Sequence, residues 1–357
     1  MSKLYNVLGL MSGTSLDGLD IAYLETDGEG RVEPGPGLTF PYSADFQTRL
    51  RSILGGKGKV EEVENELTRL HLKAIQEFMA QFQLPPIDLI GIHGHTILHD
   101  PKNRKTWQIT KGQILADELK IPVIADMRQA DVQAGGQGAP LVPLYHQARA
   151  KNLPKPLAIV NIGGVANITY ITEKDLWAFD TGTGVALLND WIHRHTGKGF
   201  DESGAIAAGG KIDQEKIKSW LQDSYFKLPP PKSLDRDHFK AKLRVDDLSL
   251  EDGAATLAAF TAQTIALSKI HLPQAPKAWF IAGGGRLHSF IMKMLAEYMQ
   301  MEVKPVEALG WSGDFLEAEA FGYLAVRSVK ALPLSLPTTT GVKQPITGGV
   351  LFKPASL

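Results

Sequence analysis

The chain has 357 residues, 43% hydrophobic and 22% charged, with 38 Lys and Arg against 39 Asp and Glu and a formal net charge of −1. At about 150 residues per domain, two domains are expected, and the balanced charge lacks the positive excess of a nucleic-acid coat or a membrane-surface protein. With no Cys, the chain can have no disulfide, no Cys-ligated zinc or iron–sulfur cluster and no thiol catalysis, which fits a cytoplasmic home.

The apolar run at residues 7–11 is too short for a secretory segment. The richest apolar stretch, residues 254–267, has 14 residues including three Thr and a Gln, short of the ~20 that a bilayer span needs. Neither nucleic acid nor membrane is therefore expected as a partner.

Taken in chain order, residues 4–10 read as a strand, followed by a glycine-containing turn, a second strand at 20–25 and a third near 38–42. Residues 45–54 and 60–82 read as helices; the second carries Val60, Val63, Leu67, Leu70 and Ala74 at helical spacing. A buried-type strand at 87–93, a helix at 111–119 and a strand at 122–125 complete the first half. The pattern then restarts: strands at 157–162, 166–171 and 176–179, helices at 185–195 and 250–269, a strand at 278–282, and helices at 287–298 and 313–330. Residues 87–94 and 278–285 correspond, each a strand running into glycine. Two α/β halves of one pattern imply a ligand-binding cleft between them.

The phosphate-binding Gly-x-x-x-x-Gly-Lys-Ser/Thr loop is absent, and Gly182-Thr183-Gly184 and Gly283-Gly284-Gly285 both lack the third glycine of a dinucleotide fingerprint. What remains is Gly13, Thr14, Ser15, Leu16, Asp17, Gly18, Leu19 and Asp20 between two strands. Backbone N–H groups and hydroxyls in such a turn can cradle phosphate without a lysine, with Asp17 and Asp20 suited to a hydrated Mg²⁺; an ordinary polar turn is the alternative. Asp180 ends an apolar strand and fits either a general base or a helix cap. His93 and His95 share a strand face, so a metal, a polar ligand or a structural hydrogen bond is open to them. Arg128 suits a carboxylate or phosphate, or a structural Asp partner.

These segments resemble the anhydro-N-acetylmuramic acid kinases, a family of the actin/hexokinase-like superfamily, over nearly the whole chain. The resemblance rests on Met-Ser-Gly-Thr-Ser-Leu-Asp-Gly at 11–18, His-Gly-His-Thr at 93–96, Ala-Asp-Met-Arg at 125–128, and Ala-Gly-Gly-Gln-Gly-Ala-Pro-Leu-Val-Pro at 134–143. It continues through Asn-Ile-Gly-Gly-Val-Ala-Asn-Ile-Thr at 161–169, Phe-Asp-Thr-Gly at 179–182, the triple glycine at 283–285 and Gly-Asp-Phe-Leu-Glu-Ala at 313–318. It implies an α/β, two-domain actin/hexokinase-like (duplicated ribonuclease H-like) fold with a central cleft, with one domain at 1–127 plus 335–357 and the other at 128–334.

It also implies that the protein uses ATP and Mg²⁺ to open the 1,6-anhydro ring of anhydro-N-acetylmuramic acid and phosphorylate O6. The product, N-acetylmuramic acid 6-phosphate, enters peptidoglycan recycling. By this resemblance Asp180 activates water, residues 13–20 hold the ATP phosphates, and Gly163, Gly164, Gly283, Gly284 and Gly285 serve the nucleotide. His95, Arg128, Gln137, Gly138 and Arg236 serve the sugar, and the protein is expected to be a homodimer.

The chain departs from the family's usual Asp-Thr-Gly-Pro-Gly-Asn at Thr183 and Val185, and from Pro-Lys-Ser-Thr-Gly-Arg-Glu at Leu234, Asp235 and Asp237. His95 stands where Gln is usual and His288 where Asn is usual. The alternatives are a diverged kinase for another anhydro or amino sugar, a non-catalytic sugar or nucleotide sensor, and a metallohydrolase built on His93 and His95.

Overall fold

The computed structural model describes residues 3–13 and 16–355. The chain divides into two compact units, residues 1–152 with 315–357, and residues 153–314. The second unit is thus inserted in the sequence of the first.

Unit 1 opens with β1 (Tyr5–Ser12), β2 (Gly18–Thr26), β3 (Val32–Pro41), α1 (Ala44–Ser52) and α2 (Val60–Gln81). It continues through β4 (Leu89–Asp100), β5 (Lys105–Ile109), α3 (Gly112–Leu119), β6 (Val123–Ala125), α4 (Gln129–Gln133) and α5 (Pro143–Arg149). Unit 2 holds β7 (Leu157–Ile162), β8 (Val165–Ile171), β9 (Leu176–Thr183), α6 (Ala186–Thr196), α7 (Ala205–Ala208) and α8 (Gln214–Trp220). It ends with α9 (Leu250–Leu267), β10 (Ala278–Ala282), α10 (Ser289–Met299) and β11 (Val303–Pro305). The chain then returns to unit 1 with α11 (Leu316–Val329), α12 (Pro337–Thr340) and β12 (Val350–Phe352).

Each unit is built on a sheet of one topology. In unit 1 the order is β3-β2-β1-β4-β6, extended by β12 beyond β6 and by β5 beside β4; in unit 2 it is β9-β8-β7-β10-β11. In both, the first three strands form an antiparallel meander and the fourth and fifth add parallel to the first. The central strands β1 and β7 bury continuous apolar runs such as Leu157, Ala158, Ile159 and Val160, as expected where helices cover both faces.

Helix packing follows from side-chain size. On α2, Val63, Leu67, Ala74, Ile75 and Phe78 face the first core. On α9, alanines and threonines are buried around the whole circumference, and their small side chains admit α6, α7, α10 and β9 as close neighbours. On the other side of the first sheet, α11 lies against β1 and β4 with almost no gap. A Cβ on Gly9 would sit 1.9 Å from the Ala318 carbonyl oxygen, and one on Gly91 would sit 2.2 Å from that of Phe321.

This contact places α11 in unit 1, whereas the domain limits read from the sequence put residues 128–152 and 315–334 with the second half. Arg149 and Tyr145 of α5 reinforce it, both donating to the buried Glu319 carboxylate of α11, at 3.1 and 2.5 Å.

Two element limits differ in ways that matter for function. The strand expected at 87–93 runs on to Asp100, so His93 and His95 lie inside it. The strand expected to stop at 179 runs on to Thr183, so Asp180 is a strand residue paired with Asn167 rather than a helix cap. The short elements β5, β11, β12, α7 and α8 have too few residues to show a period.

Candidate functional site

In unit 1, β1 ends at Ser12 and β4 runs parallel beside it. Ser12 Oγ lies 3.0 Å from His95 Nδ1 and accepts from the Tyr42 hydroxyl at 2.9 Å, and Tyr42 Oη lies 3.0 Å from His71 Nε2. The Tyr42 backbone N–H also donates to the Asp17 carbonyl oxygen at 2.9 Å. Tyr42 therefore grips both sides of the turn expected to hold phosphate. Of that turn, Thr14 and Ser15 lie outside the described residues. Leu16 N–H donates to the Gly13 carbonyl oxygen, and Gly18, Leu19 and Asp20 belong to β2. Asp20 accepts from the Thr39 hydroxyl at 2.6 Å.

A second cluster forms around Arg128. Its Nε donates to His93 Nε2 at 2.8 Å and its Nη1 to the Gly138 carbonyl oxygen at 2.7 Å. His93 Nδ1 lies 2.9 Å from its other partner, the Gly94 carbonyl oxygen. Burial and the Arg128 charge hold the His93 imidazole well below its usual pKa, hence neutral. Both His93 nitrogens are engaged, and among the described residues no three His, Asp or Glu converge as metal ligands.

The loop that carries Gln137 and Gly138 is pinned by the buried Asp131. Its carboxylate accepts from Gly138 N–H at 2.6 Å and from the Ser335 and Thr340 hydroxyls at 2.5 Å each. Gln137 N–H donates to the Thr340 carbonyl oxygen at 2.7 Å. Glu317, at the start of α11, feels the Arg128 charge, while burial pushes its carboxyl above the usual range.

In unit 2, β7, β9 and β10 point the same way and end at Ile162, Thr183 and Ala282, so the glycine segments that follow gather at one carboxyl edge. Ligands of open α/β sheets bind at such edges. The Gly163–Gly164 turn packs on Gly184: Gly184 and Val185 N–H donate to its carbonyl oxygens at 3.0 and 2.8 Å, and a Cβ on Gly184 would sit 2.0 Å from Gly163 O. Gly283, at φ +74°, and Gly285 both press on the end of β7, whereas a Cβ on Gly284 would meet nothing within 4 Å.

Asp180 lies on the same edge, almost fully buried. Its Oδ2 accepts from Leu234 N–H at 2.7 Å, its own N–H donates to the Lys232 carbonyl oxygen at 2.9 Å, and its carbonyl accepts from the Tyr225 hydroxyl at 2.6 Å. Lys232 Nζ donates to the Tyr225 carbonyl oxygen at 3.0 Å and stands over the Tyr225 ring; burial lowers its pKa to about 8. Arg236, expected near the sugar, pairs with Asp190 of α6 at 2.7 Å and with Asp237 at 2.9 Å.

The unusual residues are accommodated within this frame. Thr183 Oγ1 lies 3.3 Å from Thr261 Oγ1, and Thr261 donates to the Gly184 carbonyl oxygen. His288 caps α10 by accepting from Ile291 N–H at 3.2 Å, a task an Asn performs equally well. At position 234 the donor to Asp180 is the backbone N–H, which Leu supplies as well as Thr.

The residues the sequence reading missed are Tyr42, His71, Asp131, Tyr225 and Lys232, which act by holding others in place. Lys232 had a visible signal, as a lone cation after three prolines. The Leu234 N–H had none, since every non-proline residue carries one.

A sheet of this order occurring twice in one chain, with loops gathered at its carboxyl edge, defines the duplicated ribonuclease H-like fold of the actin/hexokinase-like ATPases. The profile described as anhydro-N-acetylmuramic acid kinase matches residues 5–354. The chain belongs to the anhydro-N-acetylmuramic acid kinase family. Among its relatives, the anhydro-N-acetylmuramic acid kinase of Paramagnetospirillum magneticum is 50% identical over 347 residues, covering 96% of this chain and 98% of the relative. That of Azorhizobium caulinodans is 48% identical over 366 residues, covering 97% and 99%. Among solved structures, the activator of 2-hydroxyisocaproyl-CoA dehydratase from Clostridium difficile, with bound ADPNP, aligns over 91% of this chain and 96% of its own at 14% identity and a TM-score of 0.45.

Proposed function

We infer that this protein is an ATP-dependent kinase that opens the 1,6-anhydro ring of anhydro-N-acetylmuramic acid and phosphorylates the released O6, yielding N-acetylmuramic acid 6-phosphate for peptidoglycan recycling. The observation that carries the chemistry is the Asp180 carboxylate, held by the Leu234 N–H while the Lys232 carbonyl and Tyr225 hydroxyl clamp its main chain. A base so fixed takes the proton of a water as that water adds to the anomeric carbon. The C1–O6 bond breaks, and O6 attacks the γ-phosphorus of ATP with departure of ADP. The leaving oxygen passes to phosphorus, so the second carboxylic acid of an ordinary glycosidase is not needed.

The turn at residues 13–20 takes the ATP phosphates, and Gly163, Gly164 and the triple glycine take the rest of the nucleotide. Phosphoryl transfer depends on positioning and charge neutralisation more than on a protein nucleophile. Asp17 and Asp20 suit Mg²⁺, which keeps waters and takes one or two carboxylates together with substrate phosphates; when bound, the ion neutralises phosphate charge. His95, Arg128, Gln137, Gly138 and Arg236 are assigned to the sugar.

Among the described residues no helix is long and apolar enough to cross a membrane, and we place the enzyme in the cytoplasm as a homodimer. The test is ADP release from Mg·ATP with and without the anhydro sugar, followed by mass analysis. One added phosphate and one added water are expected. Sugar-independent ADP release, or phosphorylation with the ring intact, overturns the reading.

A further inference from the structure

The triple glycine at 283–285 and the first two residues of the Gly-Asp-Phe-Leu-Glu-Ala motif at 313–318 are joined through one side chain. Arg286, whose side chain is 4% exposed, donates from Nε to Glu307 Oε1 at 2.7 Å, from Nη2 to Asp314 Oδ1 at 2.8 Å and from Nη1 to the Gly283 carbonyl oxygen at 3.1 Å. The Gly313 N–H donates to the same Glu307 oxygen at 3.3 Å. All of these residues belong to the second unit. We propose that Arg286 is a positioning residue for ATP: its guanidinium holds the Gly283–Gly284 peptide in the orientation that receives the nucleotide and ties that turn to residues 306–314, so that filling the turn also steadies the segment by which the chain leaves the second unit. The ligand named here rests on the assignment of the triple glycine to the nucleotide.

A buried charge is costly unless its donors are met, and each of the three guanidinium nitrogens has an acceptor. The Gly283 carbonyl accepts a second time, from the Arg286 backbone N–H at 3.2 Å. Both of its lone pairs are then used, and the Gly283–Gly284 peptide cannot turn over without breaking both bonds. In a trans peptide the C=O and the N–H point opposite ways. With the carbonyl turned to Arg286, the N–H is turned away from it, at the residue whose missing Cβ leaves open space. Gly283 and Gly285 lie against Asn161 and Ile162 of β7, so the turn is held by β7 and by Arg286 together. Gly313 completes the argument. Its φ is not in the left-handed region, so backbone freedom is not what requires glycine there. A Cβ on Gly313 would stand 2.1 Å from Arg286 Nε and 2.7 Å from Glu307 Oε1. The motif glycine leaves the space that the guanidinium fills. A lysine ammonium is a point charge and cannot serve three acceptors in one rigid plane.

The experiment combines steady-state kinetics with hydrogen exchange read by mass spectrometry on the full chain. Arg286→Lys keeps the charge and loses the fork. It should raise the KM for ATP about tenfold, the worth of one hydrogen bond to a charged group, with kcat and the KM for the anhydro sugar within about twofold of wild type. Gly313→Ala retains Arg286 and places a methyl where its Nε stands. It should raise the KM for ATP about fivefold, but no more than about twofold in an Arg286→Lys background, where the fork is already gone. In the wild type, a non-hydrolysable Mg·ATP analogue should slow exchange at residues 283–287 and, about threefold, at residues 306–314. In Arg286→Lys at saturating analogue, the slowing at 283–287 should remain and that at 306–314 should be lost.

An unchanged KM for ATP in Arg286→Lys, equal rises in the KM for ATP and for sugar, or additive effects of the two substitutions overturns the proposal. Wild-type slowing at 283–287 with none at 306–314 overturns it while leaving the nucleotide role of the triple glycine standing. Nucleotide binding with no slowing at 283–287, or no nucleotide binding at all, removes that role and the inference with it. If Arg286→Lys does not fold, the half-exposed Glu307 carries the test. Glu307→Ala removes the acceptor of Arg286 Nε and should raise the KM for ATP about fivefold, whereas Glu307→Gln keeps an acceptor oxygen and should stay within about 1.5-fold. Equal values for these two variants overturn the proposal.

Discussion

At the carboxyl edge of the first sheet the polar groups are side chains. Ser12, Tyr42, His71, His93, His95 and Asp131 are hydrogen-bonded to one another or to the main chain, and Asp131 alone ties a loop at three points. At the same edge of the second sheet, the material is bare backbone. Gly163, Gly164, Gly184, Gly283 and Gly285 pack main chain on main chain or on the end of β7, with Asp180 as the buried acid. One topology has therefore been finished in two ways. Side-chain networks set orientation, whereas glycine edges let a ligand approach the peptide itself.

The largest expected effect tests whether the second edge performs the chemistry. Asp180→Asn should lower kcat by about 10²–10⁴-fold, the usual share of a general base, with ATP and sugar affinities by calorimetry little changed. An unchanged kcat would remove Asp180 from the reaction.

The next pair sets the two building materials against each other. Asp131→Ala strands three buried donors and should cost about 3 kcal/mol in urea unfolding. Gly184→Ala forces a methyl onto the Gly163 carbonyl and should cost about 1–3 kcal/mol. Gly284→Ala, with open space around its Cβ, should stay within about 0.5 kcal/mol while raising the KM for ATP. If Gly284→Ala destabilises the protein as much as Gly184→Ala does, the contrast between packed and open glycines fails.

Lys232 gives a pH signature. Burial lowers its pKa from 10.5 to about 8, so between those values the unfolded chain binds more protons than the folded one, and this group's contribution to stability improves as pH rises. Wild type should therefore gain on Lys232→Met by an amount on the order of 1 kcal/mol between pH 7.5 and 10. A difference that does not change with pH would show that Lys232 is not held at a depressed pKa. The smallest effect concerns Arg236, whose ion pair with Asp190 is about two-fifths exposed. Arg236→Ala should change stability by less than about 1 kcal/mol, so any rise in the KM for sugar reports contact with the ligand, and an unchanged KM removes Arg236 from the sugar residues.

Much of this architecture is legible in the sequence because it repeats. The strand–turn–strand opening at 4–25 and again at 157–171 announces two units, and the glycine clusters mark where strands end. The specific motifs carry the family. The limits of the units are not legible, because α11 joins the first sheet through Gly9 and Gly91, whose partners lie more than 200 residues away. Asp180 is legible as a candidate, but its support is not. Leu234 N–H and the Lys232 carbonyl are main-chain groups, brought to it by a proline-rich segment that has no period to read. Tyr42 and His71 look like ordinary core residues until the β1–β4 bulge puts His95 beside Ser12.

The insertion of one unit within the other has a consequence for synthesis. Residues 153–314 form a contiguous segment, complete as soon as the ribosome has released it, whereas the first sheet lacks α11 and β12 until the last residues emerge. The first-made half of the first sheet must therefore wait, with the faces of Gly9 and Gly91 uncovered, while the later-made unit acquires its core. On stalled nascent chains, protease resistance should appear in residues 153–314 before it appears in 1–152.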